Sequence, residues 1–125
     1  MANDEIRIKI AKLHGANWWE LDGIAYLCGM AHAGLLPKGA KIVDAPTDGY
    51  RRLYRVKNWP VNIADAMGLI VEMQSEPYLQ AIQITRVPAI GKRWVMWVGA
   101  NITETGDTLP MVICLAYIQW KESQK

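Results

Sequence analysis

Phenylalanine is absent from these 125 residues, and serine, histidine and cysteine occur twice each. Each scarcity removes a class of chemistry. The serines, Ser75 before Glu76-Pro77 and Ser123 near the C-terminus, lie in no nucleophile-elbow pattern. Zinc needs three or four ligands at recognisable spacing. Cys28 and His32 are four apart, but no second pair accompanies them, so no metal site is expected. A dyad of Cys28 with His14 or His32 has no supporting motif; a packed thiol and a loop histidine account for the same residues. Gly29, Gly34 and Gly39 are evenly spaced but lack the lysine or the strand–helix context of a phosphate loop. No cofactor is expected.

No apolar run is long enough to cross a bilayer. The polar, acidic opening Met1-Ala2-Asn3-Asp4-Glu5 has no signal-peptide pattern. The expectation is a cytoplasmic protein with no membrane partner. Free thiols are the default there, and a Cys28–Cys114 pairing stays open. Repeats and low-complexity tracts are absent.

What is present is a large apolar fraction and flat aromatics. Hydrophobic residues make up 51% and charged residues 21%, enough for one globular domain over 1–125. The aromatics are six Trp and five Tyr. Net charge is +2, too small for general nucleic-acid binding. Its distribution says more. From Lys38 to Lys57 there are six basic residues and two acidic ones, so +4 sits in the middle and −2 is left for the remainder.

Periodicity predicts a helix over 4–14, capped by Asn3 or Asp4, with Ile6, Ile10 and Leu13 on one stripe and Gly15 as its stop. Residues 16–57 read as loops and short strands, the strands being Ile24–Leu27, Lys41–Val43 and Tyr50–Val56. Asn62 caps a helix over 63–74, with Ile63, Met67, Ile70 and Met73 on one face and Val71 beside them. A hairpin spans 79–102, its strands Leu79–Val87 and Arg93–Ile102 turning at 88–92. The second strand is apolar on both faces, which predicts a central position. The last helix, 108–121, follows Thr108 as N-cap and takes Pro110 in its first turn. It is apolar almost all round, so it must be covered by a sheet and, on this reading, by another subunit of a homo-oligomer. The order of elements is that of an α+β fold.

Carboxylate pairs Glu20/Asp22, Asp44/Asp48 and Glu104/Asp107 sit near turns, where capping and solvation explain them. The constellation that points to binding is basic and aromatic. Tyr50-Arg51-Arg52-Leu53-Tyr54-Arg55-Val56-Lys57 places three guanidiniums and two phenols in eight residues. Arginine forks match phosphate oxygens, and tyrosine and tryptophan faces stack on bases. Trp18 and Trp19 add flat surface. The candidate ligand-binding set is therefore Trp18, Trp19, Tyr50, Arg51, Arg52, Tyr54 and Arg55. The competing reading is a solvated edge strand whose arginines discourage pairing. Arg86, Lys92 and Arg93 form a second basic cluster at the hairpin tip.

Three stretches resemble the phage ABA-sandwich domain: Lys12-Leu13-His14-Gly15 closing the first helix, Trp59-Pro60 before Asn62-Ile63-Ala64-Asp65-Ala66, and Thr108-Leu109-Pro110-Met111-Val112-Ile113-Cys114-Leu115-Ala116. The resemblance covers about half of the chain and leaves Leu35–Lys57 without a counterpart. It implies a three-layer α/β/α sandwich with a small, largely antiparallel sheet, a phage origin and a host cytoplasm; it brings no established activity. The functional expectation is a non-catalytic phage accessory protein that captures a small nucleotide-like anion. In its most specific form it is an anti-defence sponge for a host immune signal such as a cyclic oligonucleotide or a cyclic ADP-ribose isomer. The alternatives are a protein that inhibits a host protein through an aromatic, Arg-rich surface, and a nucleotide-processing enzyme.

Overall fold

The computed structural model describes residues 3–28, 38–43, 50–88 and 93–124, with Cys28 and Tyr50 described in their backbone only. The elements are α1 (Asn3–Leu13), β1 (Trp18–Leu21), β2 (Ile24–Cys28), β3 (Lys41–Val43), β4 (Tyr50–Tyr54), α2 (Ile63–Gln74), β5 (Ile82–Val87), β6 (Arg93–Val98), β7 (Ile102–Gly106) and α3 (Leu109–Ser123). The fold is α+β, as its order of elements predicted. Its strands fall into two small, mostly antiparallel sheets where one was expected. The chain forms two compact units, Met1–Lys57 and Asn58–Lys125.

The first unit sets α1 beside a sheet of order β3-β1-β2-β4. β1 is antiparallel to β2 and β3, and β4 runs parallel to β2. Strand alternation puts Trp18, Ala25 and Leu27 on one face. These three are buried, as are Ile6, Ile10 and Ala11 of α1. The helix ends at Gly15, whose φ of +90° needs no Cβ to be comfortable, and Ala16 N–H closes back on Ala11 O at 2.9 Å. β1 is a strand beyond the three expected within 16–57. Its signal is Asp22-Gly23: both residues take positive φ, 52° and 77°, the requirement of a two-residue hairpin turn between Leu21 and Ile24. β4 stops at Tyr54, two residues short of the expected end, because Arg55 turns to φ 54°.

In the second unit α2 starts as predicted. Asn62 Oδ1 accepts from Asp65 N–H at 3.1 Å, and Asp65 Oδ2 accepts from Asn58 N–H at 3.1 Å. The buried face agrees with expectation at Ile70 and Met73 and differs elsewhere. It is Ala66, Leu69, Ile70 and Met73, whereas Ile63, Met67 and Val71 are exposed by 43%, 44% and 60%. Apolar residues surround this helix, so period alone does not choose its inner side. β6 is the central strand of the order β5-β6-β7, as its two apolar faces predicted. The chain then turns after Val98 into β7, where a longer second strand was expected. Thr108 Oγ1 accepts from Met111 N–H at 3.3 Å and starts α3. Val112, Ile113, Cys114, Ala116, Tyr117, Ile118 and Trp120 of α3 are buried within the chain, with α2, β6 and β7 packed against the helix.

β7 meets α3 at Gly106, where an added Cβ would lie 2.8 Å from Val112 N and 3.0 Å from its Cα. Those are backbone atoms, and Val112 N–H is already bonded to Thr108 O at 3.1 Å. Gly106→Ala is therefore expected to cost ~1–3 kcal/mol, the range of overpacking. Thermal melts of the variant and the parent check it; an unchanged Tm would show that the junction yields freely.

Candidate anion site on the four-stranded sheet

β4 ends the sheet order, so among the described strands it is paired on one side only. Successive residues of a strand point to opposite faces. Arg51 pairs in register with Ala25, on the face α1 covers, and Arg52 pairs with Tyr26 on the other. Asp4, Arg7 and Ile8 of α1, with Arg51, Arg52 and Leu53 of β4, line a cleft of about 380 Å³. That is the lower end of the volume range of ligand pockets. Three guanidiniums and one carboxylate thus border one recess.

The three arginines are not equivalent. Arg7 is occupied: its guanidinium donates to Val56 O at 2.6 Å and to Lys57 O at 3.2 Å, and stands 3.6 Å from Asp4 Oδ1. It clamps the chain leaving β4 onto α1. Arg51 and Arg52 are exposed and make no hydrogen bond or ion pair among the described residues. Their charge is available to a ligand, and Arg7 contributes field from behind. A phosphate at the mouth would meet forked donors from two neighbouring residues.

The other face of the sheet carries a row set by register. Ile42 pairs with Trp19, Trp19 with Tyr26, and Tyr26 with Arg52. Trp19 and Tyr26 stack with ring centroids 4.5 Å apart and planes 18° from parallel. Both are partly exposed, and Ile42 is 61% exposed.

The seven expected ligand-binding residues have separate fates. Arg51 and Arg52 share the cleft. Trp19 lies on the face away from α1, partly exposed. Trp18 is 3% exposed and belongs to the core, because alternation turns it toward the side that α1 covers; it offers no surface for stacking. Tyr54 is 48% exposed, and the Arg55 guanidinium lies 5.2 Å from its ring centroid. Arg55 leaves the strand at its positive φ and does not line the cleft. The Tyr50 backbone is the first residue of β4, and its side chain lies outside the described residues. Arg7 and Tyr26 are additions. Tyr26 was findable: once Asp22-Gly23 is read as a hairpin turn, counting outward pairs Trp19 with Tyr26. Arg7 was not, since its acceptors are 49 and 50 residues away.

The remaining candidates are engaged elsewhere or not described. The Arg86 guanidinium lies 5.8 Å from the Trp94 ring centroid, and Arg93 Nε lies 3.9 Å from Asp107 Oδ1. Lys92, His32, Asp44, Asp48 and the Cys28 thiol lie outside the described residues. Burial pushes the Cys114 thiol up to about 12, so it is protonated and unreactive at neutral pH. Among the described residues no group of three or more His, Cys, Asp or Glu is placed to hold a metal, and no helix is long and apolar enough to cross a membrane. Comparison with family models, with curated proteins and with solved structures gives no match to this chain. The functional reading therefore rests on the site alone.

Proposed function

We propose that this protein binds a small nucleotide-like anion at the Arg51/Arg52 edge of the four-stranded sheet and holds it without turnover. The observation that carries the reading is a pair of guanidiniums on one cleft that have no partner among the described residues. Solvated arginines on an edge strand would be free in the same way; what favours a ligand is the cleft that Asp4, Arg7 and Ile8 form beside them. Capture without chemistry suits a phage accessory protein that removes a host signalling nucleotide from the cytoplasm, and that setting belongs to the same proposal.

Ligand at 100 times its Kd stabilises the folded chain by ~2.7 kcal/mol. A panel of linear and cyclic nucleotides is thus expected to contain at least one that raises Tm by several degrees. Arg51→Glu with Arg52→Glu is expected to erase that shift while leaving the ligand-free Tm nearly unchanged, since both side chains are exposed. A wild-type Tm indifferent to every nucleotide sinks the reading. Release of the ligand unaltered after heating separates capture from enzymatic processing.

A second reading, a protein–protein contact, is favoured by α2. Its outer face shows Ile63, Met67 and Val71 at helical spacing, all exposed. A host protein or a second copy of this chain would cover them. Homo-oligomer formation, expected at the last helix, is on this reading carried by α2. Met67→Glu is expected to abolish a concentration-dependent mass increase in sedimentation, and a monomer at all concentrations removes the self-association version.

A further inference from the structure

The Trp19–Tyr26 stack has an orientation that bears on the ligand. The two residues are cross-strand partners, and their centroid separation of 4.5 Å is close to the ~4.8 Å between neighbouring strands. The stacking axis therefore runs across the strands. One face of Tyr26 meets Trp19, and the other looks toward β4, where Arg52 is the register partner. No described side chain stacks on that second face. Arg52 lines the cleft, and its guanidinium does not lie over the Tyr26 ring. Among the described residues, the outer face of Tyr26 thus carries no ring and no guanidinium, and no described strand lies beyond β4 in the sheet order.

We infer that this second face of Tyr26 is a ring subsite, so that the ligand is a nucleotide whose base stacks on Tyr26 while its phosphates reach round β4 to Arg51 and Arg52. The inference rests on the anion-binding reading and adds the part of the ligand that an anion alone does not need. Arg52 joins the two subsites, because it borders the cleft and is the register neighbour of the ring. A base placed on Tyr26 extends an existing stack of two rings to three. Its sugar would stand over the strand edge, and a short phosphate chain from there comes within reach of both exposed guanidiniums. An inorganic anion would use only the cleft. Stacking tolerates any base, because every base has a flat face.

Calorimetric titration of the full chain with ADP and with inorganic pyrophosphate, at one ionic strength, tests this. ADP is expected to bind roughly 5- to 150-fold more tightly than pyrophosphate, the equivalent of ~1–3 kcal/mol for one stacked base. Tyr26→Leu is expected to remove that margin and leave pyrophosphate binding in place, which also reports that the variant is folded. Tyr26→Phe keeps a flat ring and is expected to keep the margin. Equal affinity of the wild type for ADP and pyrophosphate overturns the ring subsite and leaves the anion site standing. A margin that survives Tyr26→Leu, or is lost in Tyr26→Phe, also overturns it. If neither probe nor any other nucleotide binds, the anion site itself falls.

Discussion

Raising the pH from 9 to 12 is expected to cost the folded chain ~3 kcal/mol through Cys114 alone, at up to about 1.4 kcal/mol per pH unit. Burial in α3 pushes this thiol from its ordinary value of 9.0 up to about 12. The unfolded chain therefore gives up the proton first. Below pH 9 both states hold it, and the stability is fully present. Above pH 9 the unfolded state binds fewer protons than the folded one, so stability falls until the folded thiol titrates near 12. Tyr117 acts in the same direction. Its phenol is raised by burial first, then by donating to Glu72 Oε2 at 2.6 Å, then by the charge of Glu72. Its share of the loss begins near pH 10, the ordinary value of an exposed tyrosine. Against a total stability of ~5–15 kcal/mol, losses of this size are a large fraction and readily measured. Urea titrations at half-unit steps from pH 8 to 11 check the slope. Cys114→Ala is expected to flatten it between pH 9 and 10, and a flat wild-type profile over that window refutes the assignment.

The same helix shows what was legible in the sequence. Thr108, Pro110 and the apolar run fixed its start and its need for cover, because capping and burial act locally. Cover by a sheet was legible, and β6 and β7 supply it; α2 as a further wall was not, because nothing local says which helix docks there. The inner side of α2 was read correctly at Ile70 and Met73 and missed at Ala66 and Leu69 for a related reason. Ile63, Met67 and Val71 are as apolar as Leu69, Ile70 and Met73, and only the position of α3 separates the two sets. Trp18 and Trp19 make the point at the site. Adjacent residues of a strand face opposite ways, so one of them had to be core, and which one depends on the side that α1 takes. Had Asp22-Gly23 been read as a turn, β1 and the Trp19–Tyr26 pair would have followed by counting. The Arg51/Arg52 edge was readable as cationic. The cleft was not, because α1 builds its other wall from residues about 45 positions earlier.

Trp120→Ala is expected to cost ~3–5 kcal/mol, among the larger losses available in this chain. The indole is 1% exposed, meets the Tyr78 ring edge-on at a centroid distance of 4.8 Å, and lies 5.8 Å from the Tyr117 ring. Lys121 Nζ lies 5.6 Å from its centroid and 3.3 Å from Glu72 Oε2, the oxygen that also accepts from Tyr117. Removing the indole opens a cavity beside the polar tie between α2 and α3, so both helices lose a wall. Trp120→Phe should behave differently. The indole Nε1–H is buried with no hydrogen-bond partner among the described residues. An unsatisfied buried donor costs ~1–3 kcal/mol. Phenylalanine deletes that donor, keeps a ring against Tyr78, and leaves only part of the cavity. The two terms oppose, and the net loss is expected to stay below ~2 kcal/mol. Paired denaturation curves for the two variants decide it: a Phe variant as damaged as the Ala variant would mean that the indole N–H is held after all, and that the core around α3 depends on that bond as much as on packing.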